Sequence, residues 1–534
     1  MPLRVSQIRL PLDGDESQVL PRALRAAGLD EADVASIELV RQSMDRRRRS
    51  PEFVYTVDIH LVDEPRKRER SRGKERKNVH WVDAATLEPL TPGDRPLENR
   101  PVILGQGPGG LFAALILARS GYRPIIVDRG SKMNRRLGQI REFYRDHVLD
   151  PESNYLFGEG GAGTFSDGKL TTRSKDPRAR FVLDEFRKNS GMAAVGYYYR
   201  PHLGSDRVRA VVAKIRREIE SLGGEFQYDC RVTELIVQDG QLKGVKTTRG
   251  ELPASVLICA PGHSARDFYQ ELLNQGAELE PKAFQMGFRV EHPQDFIDSC
   301  IYGPQASGLS LPPADYRLVA QVKGEGVFSF CMCPGGEIIP AIHDREHFNT
   351  NGMSWFGRAT GFANSGVVTT ISPEEFEDKG PLGGLRFQEH FEKLAANIAG
   401  DHYRLPTQRL NDFMDDQLSI DIPPTSCRSG TIPANIGALA PSYVVERVRH
   451  ALSRFEHQMR GFMHPDAIIC GPESRSSAPV RIVRHLETLE STTITGLFPV
   501  GEGAGYAGGI ISAAIDGWRA AETVINRFAC PREE

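Results

Sequence analysis

PVILGQGPGGLFAALILARSGYRPIIVDRG, Pro101 to Gly130, reads as strand, tight glycine turn, helix and second strand. Val102-Ile103-Leu104 is a short apolar run of the kind a buried parallel strand shows. Gly105, Gly107 and Gly110 fit G-x-G-x-x-G, with Gly109 inside the same turn. The first glycine makes the turn, the second admits a pyrophosphate close to the backbone, and the third lets helix and strand pack. Leu111–Ala118 continues as helix and Gly121 suits its C-terminal cap. Ile125-Ile126-Val127 is the second strand; Asp128 ends it, placed to hold a ribose hydroxyl, with Arg129 beside it. The helix N-terminus then directs free N–H groups and a partial positive charge at phosphates. Strand, turn, helix and acid in this order point to a bound dinucleotide.

Outward from this stretch, the chain of 534 residues carries a net charge of −3, so nothing global advertises a polyanionic partner. The length suggests two or three domains. No apolar signal-peptide core opens the chain, and the run Leu111–Ala118 is too short to cross a bilayer. Eight cysteines lie scattered without a framework pattern, which fits a reducing cytoplasm. A cytoplasmic enzyme without a membrane is the expectation.

On the N-terminal side, Arg4–Leu10, Ile37–Arg41 and Phe53–Leu61 read as strands and Gln18–Ala27 as an amphipathic helix. Arg46–Arg49 sits where a hairpin would turn. Pro65–Lys77 (PRKRERSRGKERK) carries eight basic residues against two acidic ones. No aromatic interrupts it to stack on bases, so it reads as a solvated linker and no nucleic-acid partner is expected.

On the C-terminal side a second glycine-rich stretch, Phe157–Arg173, includes Gly160, Gly161 and Gly163 and offers Lys169 and Arg173 as cations. Asp206–Leu222 reads as helix, and Glu225–Gly262 as short strands ending in VLICAPG. Val327–Cys333 alternates, placing Phe328, Phe330 and Met332 on one face and Ser329, Cys331 and Cys333 on the other. In such a strand the two cysteines stand roughly 6.6–6.8 Å apart at Cα, the upper limit for a disulfide. They are candidates for a redox pair. Phe387–Ala399 and Tyr443–Gln458 read as helices. Gly496–Ile525 (GLFPVGEGAGYAGGIISAAIDGWRAAETVI) is again strand, glycine loop and helix. Two glycine-to-helix junctions suggest one cofactor bound between them.

His343-Asp344-Arg345-Glu346-His347 matches the zinc-peptidase pattern H-x-x-E-H, but Pro340 and Asn349 leave little room for the helix it needs. Cys331-x-Cys333 is tighter than a zinc C-x2-C, so no metal is expected. Arg475 and Arg481, in ESRSSAPVRI, either bind a substrate carboxylate or pair with nearby acids.

The order of Gly105–Gly110, the APG of Ala260–Gly262 and the VGEGAG of Val500–Gly505 resembles glutathione-reductase-like FAD proteins. More narrowly, FGEGGAGTFSDGKL, APGHSARD, SFCMCPGG, NGMS, ESRSSAPVRI and GEGAGYAGGIISAAIDG resemble the bacterial uncharacterised FAD-dependent dehydrogenase family. The resemblance covers roughly 100–525. It implies FAD and an α/β fold: a glutathione-reductase-like FAD-binding Rossmann domain with an inserted α+β substrate domain and a small N-terminal α+β domain. The expected division is 1–95, 96–265, 266–465 and 466–534, the second and fourth forming the FAD domain.

Carried over by position, Gly105, Gly107, Gly109 and Gly110 face the pyrophosphate and Asp128 the adenosine ribose, where the family usually has glutamate. Gly160, Gly161, Gly163 and Lys169 border the cofactor, and Val232 meets adenine. Ala260, Gly262, Glu502 and Gly503 flank the ribityl and pyrophosphate, and Gly508, Gly509 and Ile510 the flavin pyrimidine edge. Cys331, Cys333 and Arg475 are the catalytic candidates. Disulfide reductases of the superfamily carry a cysteine pair after the second strand. Gly158–Lys169 has none, and the first cysteine is Cys230. With a single nucleotide fingerprint, NAD(P)H is expected to bind at most weakly. The reading is an FAD-dependent oxidoreductase acting on a small molecule; a flavin-dependent RNA-modifying enzyme and a non-catalytic redox sensor are the alternatives.

Overall fold

The computed structural model describes residues 1–45, 51–62, 77–83, 86–172, 174–303, 309 and 311–531. The chain divides into two units: Met1–Pro89 with Lys169–His202 and Tyr302–Pro312, and Leu90–Gly168 with Leu203–Ile301 and Pro313–Glu534.

In the first unit four antiparallel strands lie in the order Val34–Asp45, Glu52–Leu61, Leu3–Pro11, Val79–Trp81. Val5, Ile8, Leu10, Tyr55, Val57 and Ile59 face the helix Val19–Ala27 and form its core. A register shift between Val5 and Ile8, with Gln7 at φ 61°, breaks the simple alternation of the first strand. Arg46–Arg49, most of Pro65–Lys77 and Arg173 lie outside the described residues.

In the second unit Val102–Leu104 is the middle strand of a five-stranded parallel sheet. The order is Leu497–Pro499, Leu257–Cys259, Val102–Leu104, Ile125–Val127, Glu225–Gln227. Parallel strands need crossovers that cover both faces, which is why four of these strands are apolar runs rather than alternating ones; the edge strand Glu225–Gln227 is the polar exception. The helices Pro108–Arg119, Gly204–Ser221 and Ile510–Arg527 run beside the sheet. Val232–Gln238, Gln241–Thr247 and Gly250–Pro253 form a separate antiparallel three-stranded sheet. This is a mixed α/β fold.

A seven-stranded sheet completes the unit, in the order Val319–Val322, Glu325–Cys333, Phe362–Ile371, Phe284–Pro293, Ile468–Glu473, Leu405–Arg409, Thr431–Pro433. The helices Gly383–Ala399 and Ser442–Gln458 accompany it. The expected alternation of Val327–Cys333 fails at its end. Phe330 pairs with Gly366 but Cys333 with Asn364, so two residues, Cys331 and Met332, oppose one. Cys331 takes up the extra length at φ 45°. This bulge shifts the phase, so Cys331 and Cys333 are not two like positions of one regular strand.

Candidate functional site

The first glycine loop is built by steric necessity at two positions and left open at a third. Gly105 has φ 89°, and a Cβ there would stand 2.2 Å from the Ala260 carbonyl oxygen. A Cβ on Gly110 would stand 1.9 Å from the Gly105 oxygen. Gly107 is different: its backbone is ordinary (φ −66°, ψ 179°) and nothing lies within 4 Å of a Cβ on it. The helix begins at Pro108, whose missing N–H costs nothing at that position. The first-turn N–H groups that follow have no intrahelical acceptor.

Asp128 is buried, and each carboxylate oxygen accepts a backbone N–H at 2.9 Å, from Gln106 and from Gly130. Burial pushes its carboxyl up against those bonds. Arg129 lies over the Phe157 ring at 4.3 Å and pairs with Glu152 and Asp267. Val232 opens the antiparallel sheet as a buried residue.

The second glycine stretch is clamped onto the first. A Cβ on Gly161 would come within 2.9 Å of Gly107 Cα, and one on Gly163 within 3.4 Å of Ile510 Cγ1. Gly160 has φ 78°. Arg136, fully buried, holds the loop: Nε donates to the Asn154 oxygen at 2.7 Å, and Nη1 to Glu159 and Gly161 oxygens at 2.8 and 3.0 Å. Burial lowers its pKa to about 9. Lys169 belongs to the first unit, where it bridges His202.

The C-terminal loop closes the ring. A Cβ on Gly503 would stand 2.7 Å from the Gly262 carbonyl carbon, and one on Gly517 1.9 Å from the Gly109 oxygen, so the two glycine-started helices cross in contact. Asp516 accepts the Gly501 N–H at 2.7 Å and pairs with buried Arg484 at 2.7 Å. Glu502 Oε1 lies 3.2 Å from His263 Nδ1, and His263 Nε2 is buried with no partner. Gly262, Gly508 and Gly509, like Gly107, have nothing within 4 Å of a Cβ. The backbone is crowded where the loops touch and open where a ligand would run between them. An extended dinucleotide fits such a cradle.

Two clusters lie in the remainder of this unit. Arg289 and Glu473 form a buried pair at 2.6 Å, with Arg289 Nη1 donating to Asn364 Oδ1 at 2.8 Å and facing the Cys331 oxygen at 3.5 Å. The Cys333 thiol donates to that same oxygen at 3.1 Å. In the second cluster Arg475 and Arg266 share Glu392, at 2.6 and 2.9 Å. Of the two roles open to Arg475 and Arg481, pairing with acids is the one observed: Arg481 meets Glu280 at 2.7 Å. Burial pushes the Glu392 carboxyl up, but Arg266 and Arg475 overcome it and hold the group well below the carboxylate range. Arg475 Nη1 donates to His343 Nδ1 at 3.2 Å, and His343 Nε2 faces Asp344 at 3.2 Å. Burial, then Arg475, lowers the His343 pKa and keeps the ring neutral. His343–His347 is a loop in which Asp344 binds both histidines. Sequence reasoning missed Arg136, Arg266, Glu392 and Asp516. Arg266 and Asp516 stand inside quoted motifs; Arg136 and Glu392 carry no local signal.

Residues 283–476 match the family described as FAD-dependent protein, C-terminal domain-like, and residues 2–60 a domain of unknown function, DUF8436. An uncharacterized protein of Clostridium beijerinckii (strain ATCC 51743 / NCIMB 8052) is 38% identical over 536 residues, with all of each chain covered. The chain belongs to that protein's family. Its cofactor is FAD. Among solved structures, the glycine oxidase of Bacillus cereus ATCC 14579 is 9% identical, covering 80% of this chain and 97% of its own, at a TM-score of 0.35. The glycine oxidase of Geobacillus kaustophilus is 12% identical, covering 82% and 100%, at 0.36. Likenesses at these TM-scores say nothing about the chemistry of this family. Among the described residues no helix is long and apolar enough to cross a membrane.

Proposed function

We propose that this family member is a flavin-dependent oxidoreductase of glutathione-reductase-like arrangement, a dehydrogenase moving a hydride or electrons between a small molecule and FAD. The observation that carries the reading is the contrast among the glycines. Gly105, Gly110 and Gly503 are crowded by neighbouring backbone, whereas Gly107, Gly262, Gly508 and Gly509 border open space. FAD supplies hydride and electron-transfer chemistry that no side chain can perform alone.

The chain's own residues bind and orient. Gly105–Gly110 and the N-terminus beginning at Pro108 would hold the pyrophosphate, with Asp128 and Val232 toward the adenosine end. Glu502, positioned by His263, would face the ribityl hydroxyls. The N-terminus beginning at Ile510 would favour negative charge on the flavin ring. Gly160, Gly161 and Gly163 exclude water on the remaining side. The scattered cysteines, none of them in a disulfide, support a reducing, cytoplasmic setting, and the single fingerprint supports NAD(P)H as a weak reductant at most.

The test is the cofactor itself. Heat-released ligand from the purified protein is expected to be FAD, and NAD or FMN instead would overturn the reading. In anaerobic mixing, NADH is expected to bleach the flavin slowly and without saturation; fast saturable bleaching at micromolar NADH would reveal a nicotinamide site and reverse that part.

A further inference from the structure

The helix Gly204–Ser221 carries a buried arginine that no acid answers. Arg209 is 9% exposed, and its Nε donates to the Thr164 oxygen at 3.0 Å. Among the described residues no acceptor meets either terminal nitrogen, and no carboxylate comes within 4 Å. The other buried arginines are spent differently. Arg216, Arg289, Arg475 and Arg484 pair with Glu159, Glu473, Glu392 and Asp516 at 2.6–2.8 Å. Arg136, also without a paired acid, gives Nε and Nη1 to three carbonyls and the Thr164 hydroxyl, while its Nη2 is buried with no partner.

The surroundings of Arg209 are fixed. Its guanidinium carbon lies 4.2 Å from the centre of the Phe165 ring and 5.1 Å from that of Trp355. The Trp355 segment is tied to the start of the helix: Ser205 N–H donates to the Ser354 oxygen at 2.9 Å and Phe356 N–H to Asp206 at 2.8 Å. Trp355 Nε1 donates to Glu337 at 2.8 Å. Asp206 and Glu337, the acids nearest in charge to Arg209, are thus engaged with other donors. Trp355 is 39% exposed, so the arrangement opens outward there.

The terminal nitrogens of Arg209, unlike Arg136 Nη2, are not sealed from solvent, so the fork is open to an anion that would complete this largely buried charge. The planar fork matches a carboxylate or phosphate with two parallel bonds. The exposed Trp355 ring matches a flat apolar body, while Phe165, buried against Arg209, Arg136 and Tyr155, backs the fork. Charge decides between the two anions. Arg428 and Arg209 both act on the Glu337 carboxylate, and two cations against one carboxylate leave a single positive charge, which a monoanion balances and a phosphate dianion would exceed. We propose that Arg209, Phe165, Trp355 and Glu337 form a binding site for a small organic monocarboxylate with an aromatic or apolar body. The site stands apart from the flavin reading and does not rest on it.

Calorimetric titration of the flavin-loaded full chain with phenylacetate, phenylacetamide and inorganic phosphate tests this. Phenylacetate should bind saturably at one per chain, with the amide and phosphate at least tenfold weaker. Arg209→Gln should weaken phenylacetate at least tenfold and Trp355→Ala several-fold, while Arg145→Gln, on an exposed arginine paired with Asp146, leaves it unchanged. Absence of saturable phenylacetate binding, equal binding of the amide or phosphate, or wild-type affinity in Arg209→Gln overturns the proposal. Should Arg209→Gln not fold, the wild-type carboxylate–amide comparison and Trp355→Ala decide it.

Discussion

Gly107 and Gly110 sit three residues apart and answer to different forces. At Gly107 the backbone suits any residue and a side chain would project into open space. Gly107→Val is therefore expected to fold with stability within about 0.5 kcal/mol of wild type, as for substitutions away from packed features, yet to purify without FAD. Flavin absorbance against urea unfolding checks both halves, and full FAD occupancy would refute the cradle. At Gly110 a Cβ would collide with the Gly105 carbonyl, so Gly110→Ala is expected to lose stability first and cofactor as a consequence. Glu392 is a third kind of residue. Removing its charge with Glu392→Gln strands Arg266 and Arg475 in the interior, and breaking a buried ion pair in this way costs about 3–5 kcal/mol. Urea denaturation measures it; a loss below about 1 kcal/mol would mean the cluster is solvated.

The decisive element contact is the crossing of Pro108–Arg119 with Ile510–Arg527. Gly109 and Gly517 meet there so closely that a methyl on Gly517 would sit 1.9 Å from a carbonyl oxygen. Because each helix starts at an open glycine loop, their spacing sets the width of the cradle between those loops. Gly517→Ala is expected to cost about 1–3 kcal/mol through overpacking and to weaken FAD binding, although residue 517 touches no ligand position. Equilibrium dialysis of FAD with the folded variant reads the second effect; unchanged affinity would show that the helices adjust independently of the loops. The bulge at Cys331 is the other element-scale feature. It ends the alternation of Glu325–Cys333 and turns a carbonyl toward Arg289 and the Cys333 thiol.

For the molecule as a whole, FAD binds only the folded chain. Free FAD at a hundred times its dissociation constant is expected to add about 2.7 kcal/mol to the stability of the apoprotein, and nothing to Gly107→Val. The pH profile has two opposing parts. Glu392 and Asp344 are held below their ordinary pKa, so their stabilisation is present above the unfolded-state value near 4 and is lost as pH falls. Glu291, buried on the seven-stranded sheet and accepting from the Ser426 backbone and hydroxyl, is pushed up to about 7. Its folded form keeps a proton that the unfolded chain releases near pH 4. Its contribution is therefore complete below that pH and eroded as pH rises through 7. Relative to Glu291→Gln, the wild type is expected to lose on the order of 3–4 kcal/mol between pH 4 and 8. Parallel unfolding series for the two proteins would show it, and superimposable profiles would exclude a titrating Glu291.

What the sequence determined by itself lies in its local steric chemistry. Pro101–Gly130 reads as strand, turn, helix and strand because each step depends on residues next to one another, and Gly496–Ile525 is legible for the same reason. The helices at 204–221, 383–399 and 442–458 follow from short-range periodicity, within a few residues at their ends. The tertiary structure alone decided which glycines are crowded and which are open, since Gly105 meets Ala260 and Gly109 meets Gly517 across long stretches of chain. It alone brought Arg266, Glu392 and Arg475 together, left Arg209 without an acid, and placed a bulge where alternation predicted none. A buried charge takes its meaning from the group that neutralises it, and that group is chosen by the fold rather than by neighbours in the chain.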